Sequence, residues 1–136
     1  MSRVTVLDAS AVLAFLQGEP GESMVRQALQ SGHCVVSAAN QAEVIAKALD
    51  RGADSEAIKT ILTKLAYSVI DIKAEDGMQA GWMRAQTRHI GLSLGDRLCL
   101  AAAQRLKAKV LTADRPWVAM AEPLGIDICC IRSEAH

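Results

Sequence analysis

The chain has little aromatic content: two tryptophans, one tyrosine and one phenylalanine make 3% of its 136 residues. A core must therefore be aliphatic and alanine-rich, which suits close helix packing. No apolar run approaches the roughly 20 residues of a membrane span, so no transmembrane segment is expected. Met1-Ser2-Arg3-Val4 carries no hydrophobic signal region with a cleavage site, and a cytoplasmic protein is expected. Neither sign of charge is in excess, with 15 basic and 15 acidic residues. Nucleic-acid binders are usually basic, so bulk charge alone does not argue for one. Cys34, Cys99, Cys129 and Cys130 lack C-x-x-C spacing and sit in apolar runs; they read as reduced, buried thiols. His33, His89 and His136 do not pair with them at a zinc-ligand spacing. Phosphate-cradling G-x-x-x-x-G-K-S/T and dinucleotide-binding G-x-G-x-x-G are both missing. So are repeats, low-complexity tracts and long linkers.

Apolar residues make up 51% of the sequence. A chain of this length suits one domain, here residues 1–136, burying about two-thirds of its unfolded surface. β-rich apolar runs alternate with helical stretches. Strands are expected at 4–7, 34–37, 68–72, 109–112 and 126–131. Helices are expected at 10–17, 22–31, 40–49, 55–65, 74–87, 96–106 and, briefly, 116–121. The helix at 22–31 stops at Gly32, as helices often stop at glycine. The one at 55–65 carries Ile58, Ile61, Leu62 and Leu65 on one stripe, and the one at 74–87 has Met78, Trp82 and Ala85 along one side. The helix at 96–106 is apolar nearly all round, which argues burial. Such alternation implies βαβ crossovers: an α/β fold with a mostly parallel sheet covered on both faces. In such sheets the functional crevice lies beyond the carboxyl ends of the strands.

Four acids fall where that rule points. Asp8 follows the first strand and Asp114 follows the fourth after one alanine. Glu43 lies in the first turn after the second strand, and Asp96 opens the buried helix. Each also has a purely structural explanation. Asn40-x-x-Glu43 and Ser93-x-x-Asp96 have the form of capping boxes, Asp114 precedes Arg115-Pro116 as a helix cap would, and Asp8 stands before a helix. Convergence of all four has a further consequence. Clustered carboxylates repel, and must take up a proton or a cation. Oxygen-rich acidic sites suit Mg²⁺ or Mn²⁺, which can activate water and bind a phosphodiester.

These stretches resemble the PIN-domain family. Asp8-Ala9-Ser10-Ala11-Val12-Leu13-Ala14 is similar to its first motif, and Ser37-Ala38-Ala39-Asn40-Gln41-Ala42-Glu43-Val44 to its second. The run from Leu92 through Asp96 to Ala103 resembles the third, and Val110-Leu111-Thr112-Ala113-Asp114-Arg115-Pro116-Trp117 the fourth. The order matches across essentially the whole chain. The resemblance implies a three-layer α/β/α sandwich and Mg²⁺- or Mn²⁺-dependent cleavage of RNA, leaving 5′-phosphate and 3′-hydroxyl ends. It implies Asp8, Glu43, Asp96 and Asp114 as catalytic metal ligands, with Ser10, Asn40 and Thr112 as supporting polar residues. Where some relatives carry a further acid two residues after the last aspartate, this chain has Pro116, which counts against a second tightly held metal. Stand-alone chains of this size most often resemble the toxin of a VapBC-type toxin–antitoxin pair. That implies a small VapB-type antitoxin as partner and a homodimer as the working unit.

Setting the four candidate acids aside leaves the rest of the chain net basic. Arg84, Arg88, His89, Arg97 and Arg115 lie near the third and fourth motifs and are candidates for phosphate contacts; the alternative is a solvated helix face. Trp82 and Trp117 are expected in the core or a dimer interface rather than stacked on bases. Val12, Phe15 and Leu16 are candidates for an apolar antitoxin groove, or for plain core. Rival readings are a PIN nuclease that is not a toxin and acts on other RNA or DNA, a non-enzymatic interaction module, and a phosphotransfer or phosphatase domain with Asp8 as nucleophile. The last usually needs a second aspartate two residues on, where this chain has Ser10.

Overall fold

A computed structural model describes residues 3–132; Met1, Ser2 and residues 133–136, including His136, lie outside it. Five strands form the sheet: β1 (Thr5–Leu7), β2 (Cys34–Ser37), β3 (Tyr67–Ile70), β4 (Lys109–Thr112) and β5 (Ile128–Cys130). Their order is β3-β2-β1-β4-β5, and every pairing is parallel. The helices are α1 (Ala9–Leu16), α2 (Glu22–Ser31), α3 (Ala38–Asp50), α4 (Ser55–Lys64), α5 (Ala74–Thr87), α6 (Leu94–Leu106) and α7 (Ala121–Leu124). Short 3-10 turns cover Arg88–Ile90 and Arg115–Met120.

Period-two alternation along the strands builds the layers. Val6 of β1 and Val110 of β4 join one core with Leu100 of α6, Met83 of α5 and Trp117. Their neighbours Leu7 and Leu111 point the other way, into a second core with Val12 of α1, Val25 of α2 and Val44 of α3. The result is the expected three-layer α/β/α sandwich. Alanine lets the helices close in: Ala11, Ala14 and Ala101–Ala103 are all buried. No helix among the described residues is long and apolar enough to cross a membrane.

Local chemistry sets the boundaries that matter for the site. Ser37 ends β2 and also caps α3, its hydroxyl accepting the Asn40 N–H at 3.1 Å. The helix therefore starts at Ala38, two residues before the expected start, and Asn40 and Glu43 do not form a capping box. Ser93 and Asp96 do form one at the start of α6. On α5 the expected stripe faces outward: Trp82 is 72% and Met78 69% exposed, while Asp76, Ala80, Met83 and Thr87 are buried. Arg105 of α6 draws that face inward by a paired hydrogen bond to the Asp76 carboxylate, 2.8 and 3.0 Å. On α4 only Ile58 is buried. Cys34 and Cys99 are buried as expected, whereas Cys129 and Cys130 are half-buried; all four are free thiols.

Candidate active site

Asp8 leaves β1 at the carboxyl edge of the sheet and is 3% exposed. It caps α1, with Oδ1 accepting the Ala11 N–H at 2.8 Å. The Ser10 hydroxyl shares its proton between Oδ1 and Oδ2 (2.8 and 2.9 Å). The Thr112 hydroxyl, at the end of the neighbouring β4, donates to Oδ2 at 2.7 Å. These donors are all neutral. Burial pushes the carboxyl up to about 6, the hydrogen bonds oppose that, and the charge of Asp96 adds to it. Among the described residues, no lysine or arginine offsets it.

Glu43 reaches the same region from α3, half-buried. Burial raises its pKa, Asp96 raises it further, and Lys47 one turn along the helix pulls it down. Its Oε1 accepts from Asn40 Nδ2 at 3.1 Å, and the same Nδ2 donates to the Gly95 carbonyl at 3.0 Å. Asn40 is buried at 1% exposure, and its Oδ1 has no protein partner. Asp96 spends Oδ2 on the Ser93 N–H at 2.9 Å, so its capping role is real, and its charge still acts on both Asp8 and Glu43. Beneath the acids lies Cys99, fully buried. Burial pushes its thiol well up, and Asp8, Asp96 and Glu43 each add to the shift. One thiol thus senses three carboxylates drawn from three separate stretches of chain.

Asp114 stands at the same sheet edge but is exposed. Its N–H donates to Thr112 Oγ1 at 3.1 Å, and Ser10 Oγ accepts the Ala113 N–H at 2.9 Å. It occupies the cap position before the turn at Arg115 without a side-chain cap bond. The two hydroxyls expected beside the site therefore tie Asp8 to the Asp114 loop. Among the described residues, no three His, Cys, Asp or Glu side chains form a ready-made metal cage. The donor set is nonetheless of the right kind for a hard divalent ion: all oxygen, mutually repelling, and lacking an internal cation at Asp8.

The expected basic residues divide. Arg84 and Arg88 are exposed on and just beyond α5. Arg97 is half-buried, and its Nη1 donates to the Ala80 carbonyl at 2.8 Å, so it joins α6 to α5. Trp117 is core at 1% exposure. Val12 is also core, at 2% exposure. Leu16 lines an apolar cleft of about 320 Å³ together with Leu13, Val44, Ile58, Ile61 and Leu62.

Sequence reasoning missed Gly95. A Cβ there would lie 2.2 Å from Glu43 Oε1 and 2.8 Å from its Cδ. The available signal was a glycine, a poor helix former, directly before Asp96 in a helix's first turn.

Fold and acids together define a parallel α/β domain with a carboxylate site at the strand ends. A family model for the PIN domain matches residues 5–123. The chain belongs to the PIN-domain family, a family of nucleases. A search of curated protein sequences finds no significant match. Among solved structures, the chain is similar to one in a toxin–antitoxin complex from Klebsiella pneumoniae, with TM-score 0.72, 17% identity, and 96% of this chain and 99% of that one covered. It is similar to one in DNA-bound VapBC from Salmonella typhimurium, with TM-score 0.71, 16% identity and coverage of 96% and 99%. FitAcB from Neisseria gonorrhoeae follows at TM-score 0.68, 13% identity and coverage of 94% and 98%. At these identities the likeness is one of fold.

Proposed function

We propose that this chain is a Mg²⁺- or Mn²⁺-dependent endoribonuclease, the toxin of a VapBC-type pair, built as one PIN domain over residues 1–136 and acting in the cytoplasm. The observation that carries the reading is Asp8: a buried carboxylate with neutral donors only, beside two further acids. A divalent ion, when bound, supplies Lewis acidity toward a phosphodiester and electrostatic activation of water. Asp8, Asp96 and Glu43 are the residues that would hold it, with Asp114 at the rim. Thr112, Ser10 and the Ala11 N–H fix the Asp8 carboxylate in one orientation, so little reorganisation is needed when it takes up its charge. Arg84 and Arg88, both exposed, would contact substrate phosphates.

The partners follow the fold likeness to toxin–antitoxin complexes. A VapB-type antitoxin would lay an apolar helix in the cleft lined by Leu13, Leu16, Val44, Ile58 and Ile61. A homodimer would cover the outward Met78 and Trp82 of α5. The test is direct. The purified chain should cleave RNA with Mg²⁺ or Mn²⁺ and stop on adding EDTA, and its expression should arrest growth unless the cognate antitoxin is co-expressed. Cleavage that survives thorough chelation would overturn the metal-dependent reading.

A further inference from the structure

Gly95 occupies the second position of α6 and has no left-handed backbone to justify it. Glycine there weakens the helix relative to alanine. The space freed by its missing side chain is filled: the three atoms nearest to an added Cβ all belong to the Glu43 carboxylate. The second half of the arrangement is Asn40. Its amide donates at once to Glu43 Oε1 and to the Gly95 carbonyl. Turning the amide over would set its oxygen against two acceptors, so the orientation is fixed. The remaining Asn40 oxygen is buried and unpartnered, a cost to folding that a purely structural residue would not be expected to carry.

We propose that Gly95 and Asn40 form a seat that holds the Glu43 carboxylate in the position from which it serves the metal site. Both are positioning residues, acting through Glu43. The seat joins the start of α3 to the start of α6, so that Glu43 and Asp96 are set relative to each other. The inference rests on the metal-dependent reading above.

Gly95→Ala separates this role from a folding role. The obstructed atoms are the far end of a flexible side chain, so the variant should fold, with a melting temperature at or above that of the parent. Mn²⁺ affinity, read by electron paramagnetic resonance on the whole chain, should fall about 10-fold, as it does when supporting residues around metal ligands are lost. Asn40→Ala should weaken it in the same direction. A double-mutant cycle makes the assignment specific: in a Glu43→Ala background, Gly95→Ala should cause no further loss. Parent-like Mn²⁺ affinity in both single variants, or an undiminished loss in the Glu43→Ala background, overturns the seat while leaving the nuclease reading intact. Absence of Mn²⁺ binding by the parent chain overturns both.

Discussion

Asp8 and Asp76 are both hidden from solvent, at 3% and 2% exposure, and the chain treats them in opposite ways. Asp76 receives the Arg105 guanidinium through two hydrogen bonds, and that contact holds its carboxyl below the ordinary range. Asp8 receives two hydroxyls and one amide, and its carboxyl rises to about 6. Neutral donors satisfy lone pairs but do not repay the desolvation of a full charge. One acid is complete within the chain and ties α5 to α6. The other is complete only with a proton or an added cation. Burial alone does not distinguish the two carboxylates; the internal counter-ion does.

The sharpest break in the comparison is Asp8→Asn. It should abolish RNA cleavage, scored on a gel, while circular dichroism stays native. Wild-type cleavage by the variant would remove Asp8 from the site. Arg105→Ala should do the reverse. It leaves Asp76 buried without its cation and should cost about 3–5 kcal/mol of stability, measured by denaturant unfolding. Mn²⁺ affinity of the protein that remains folded should stay unchanged.

The two acids should also pull the pH dependence of stability in opposite directions. Below the unfolded pKa of Asp8 both states are protonated. Between 3.8 and about 6 the folded state holds the extra proton, so metal-free stability falls as pH rises through that window, by up to about 3 kcal/mol. The raised Glu43 adds to the same trend. Asp76 contributes stability at neutral pH that is lost as pH drops through its lowered value. Thermal melts from pH 4 to 7 should show the Asp8 slope in the parent and its loss in Asp8→Asn. Saturating Mn²⁺ should reverse the slope, because the ion binds the ionised form. The smallest effect concerns the periphery. Arg84→Ala and Arg88→Ala should each lower the salt dependence of RNA binding by about one unit of log–log slope, if each contacts a phosphate. An unchanged slope in both would assign them to solvent.

Much of the framework was legible in the residues. The bounds of α2, β2, α5 and β4 agree with the apolar patterning, because capping and turn residues flank them. The parallel sheet followed from alternation, and the strand-end rule led to Asp8, Glu43, Asp96 and Asp114. What was not legible depends on contacts distant in sequence. The orientation of α5 was hidden because Met78 and Trp82 look more core-like than Asp76, and only the partner Arg105, 29 positions away, turns Asp76 inward. Arg97 looks like a phosphate ligand until Ala80 of the neighbouring helix is in place. The starts of α3 and α6 fall before the expected ones because Ser37 and Ser93 do the capping. Gly95 could be noticed in the sequence but not interpreted there, since its meaning lies in a side chain from another helix.

The hydrogen bond between Asp8 and Thr112 spans 104 positions, and it joins the central strand β1 to its neighbour β4 in an all-parallel sheet. Contacts that distant form late, because the intervening chain must be closed before they return any stability. On the ribosome, β1 emerges before β4 and cannot pair with it until the chain has been made through Thr112. The acids are therefore scattered through synthesis and gather only when the fold closes. For a PIN-family chain, this topology means that the candidate carboxylate site cannot take shape before β4 has joined β1.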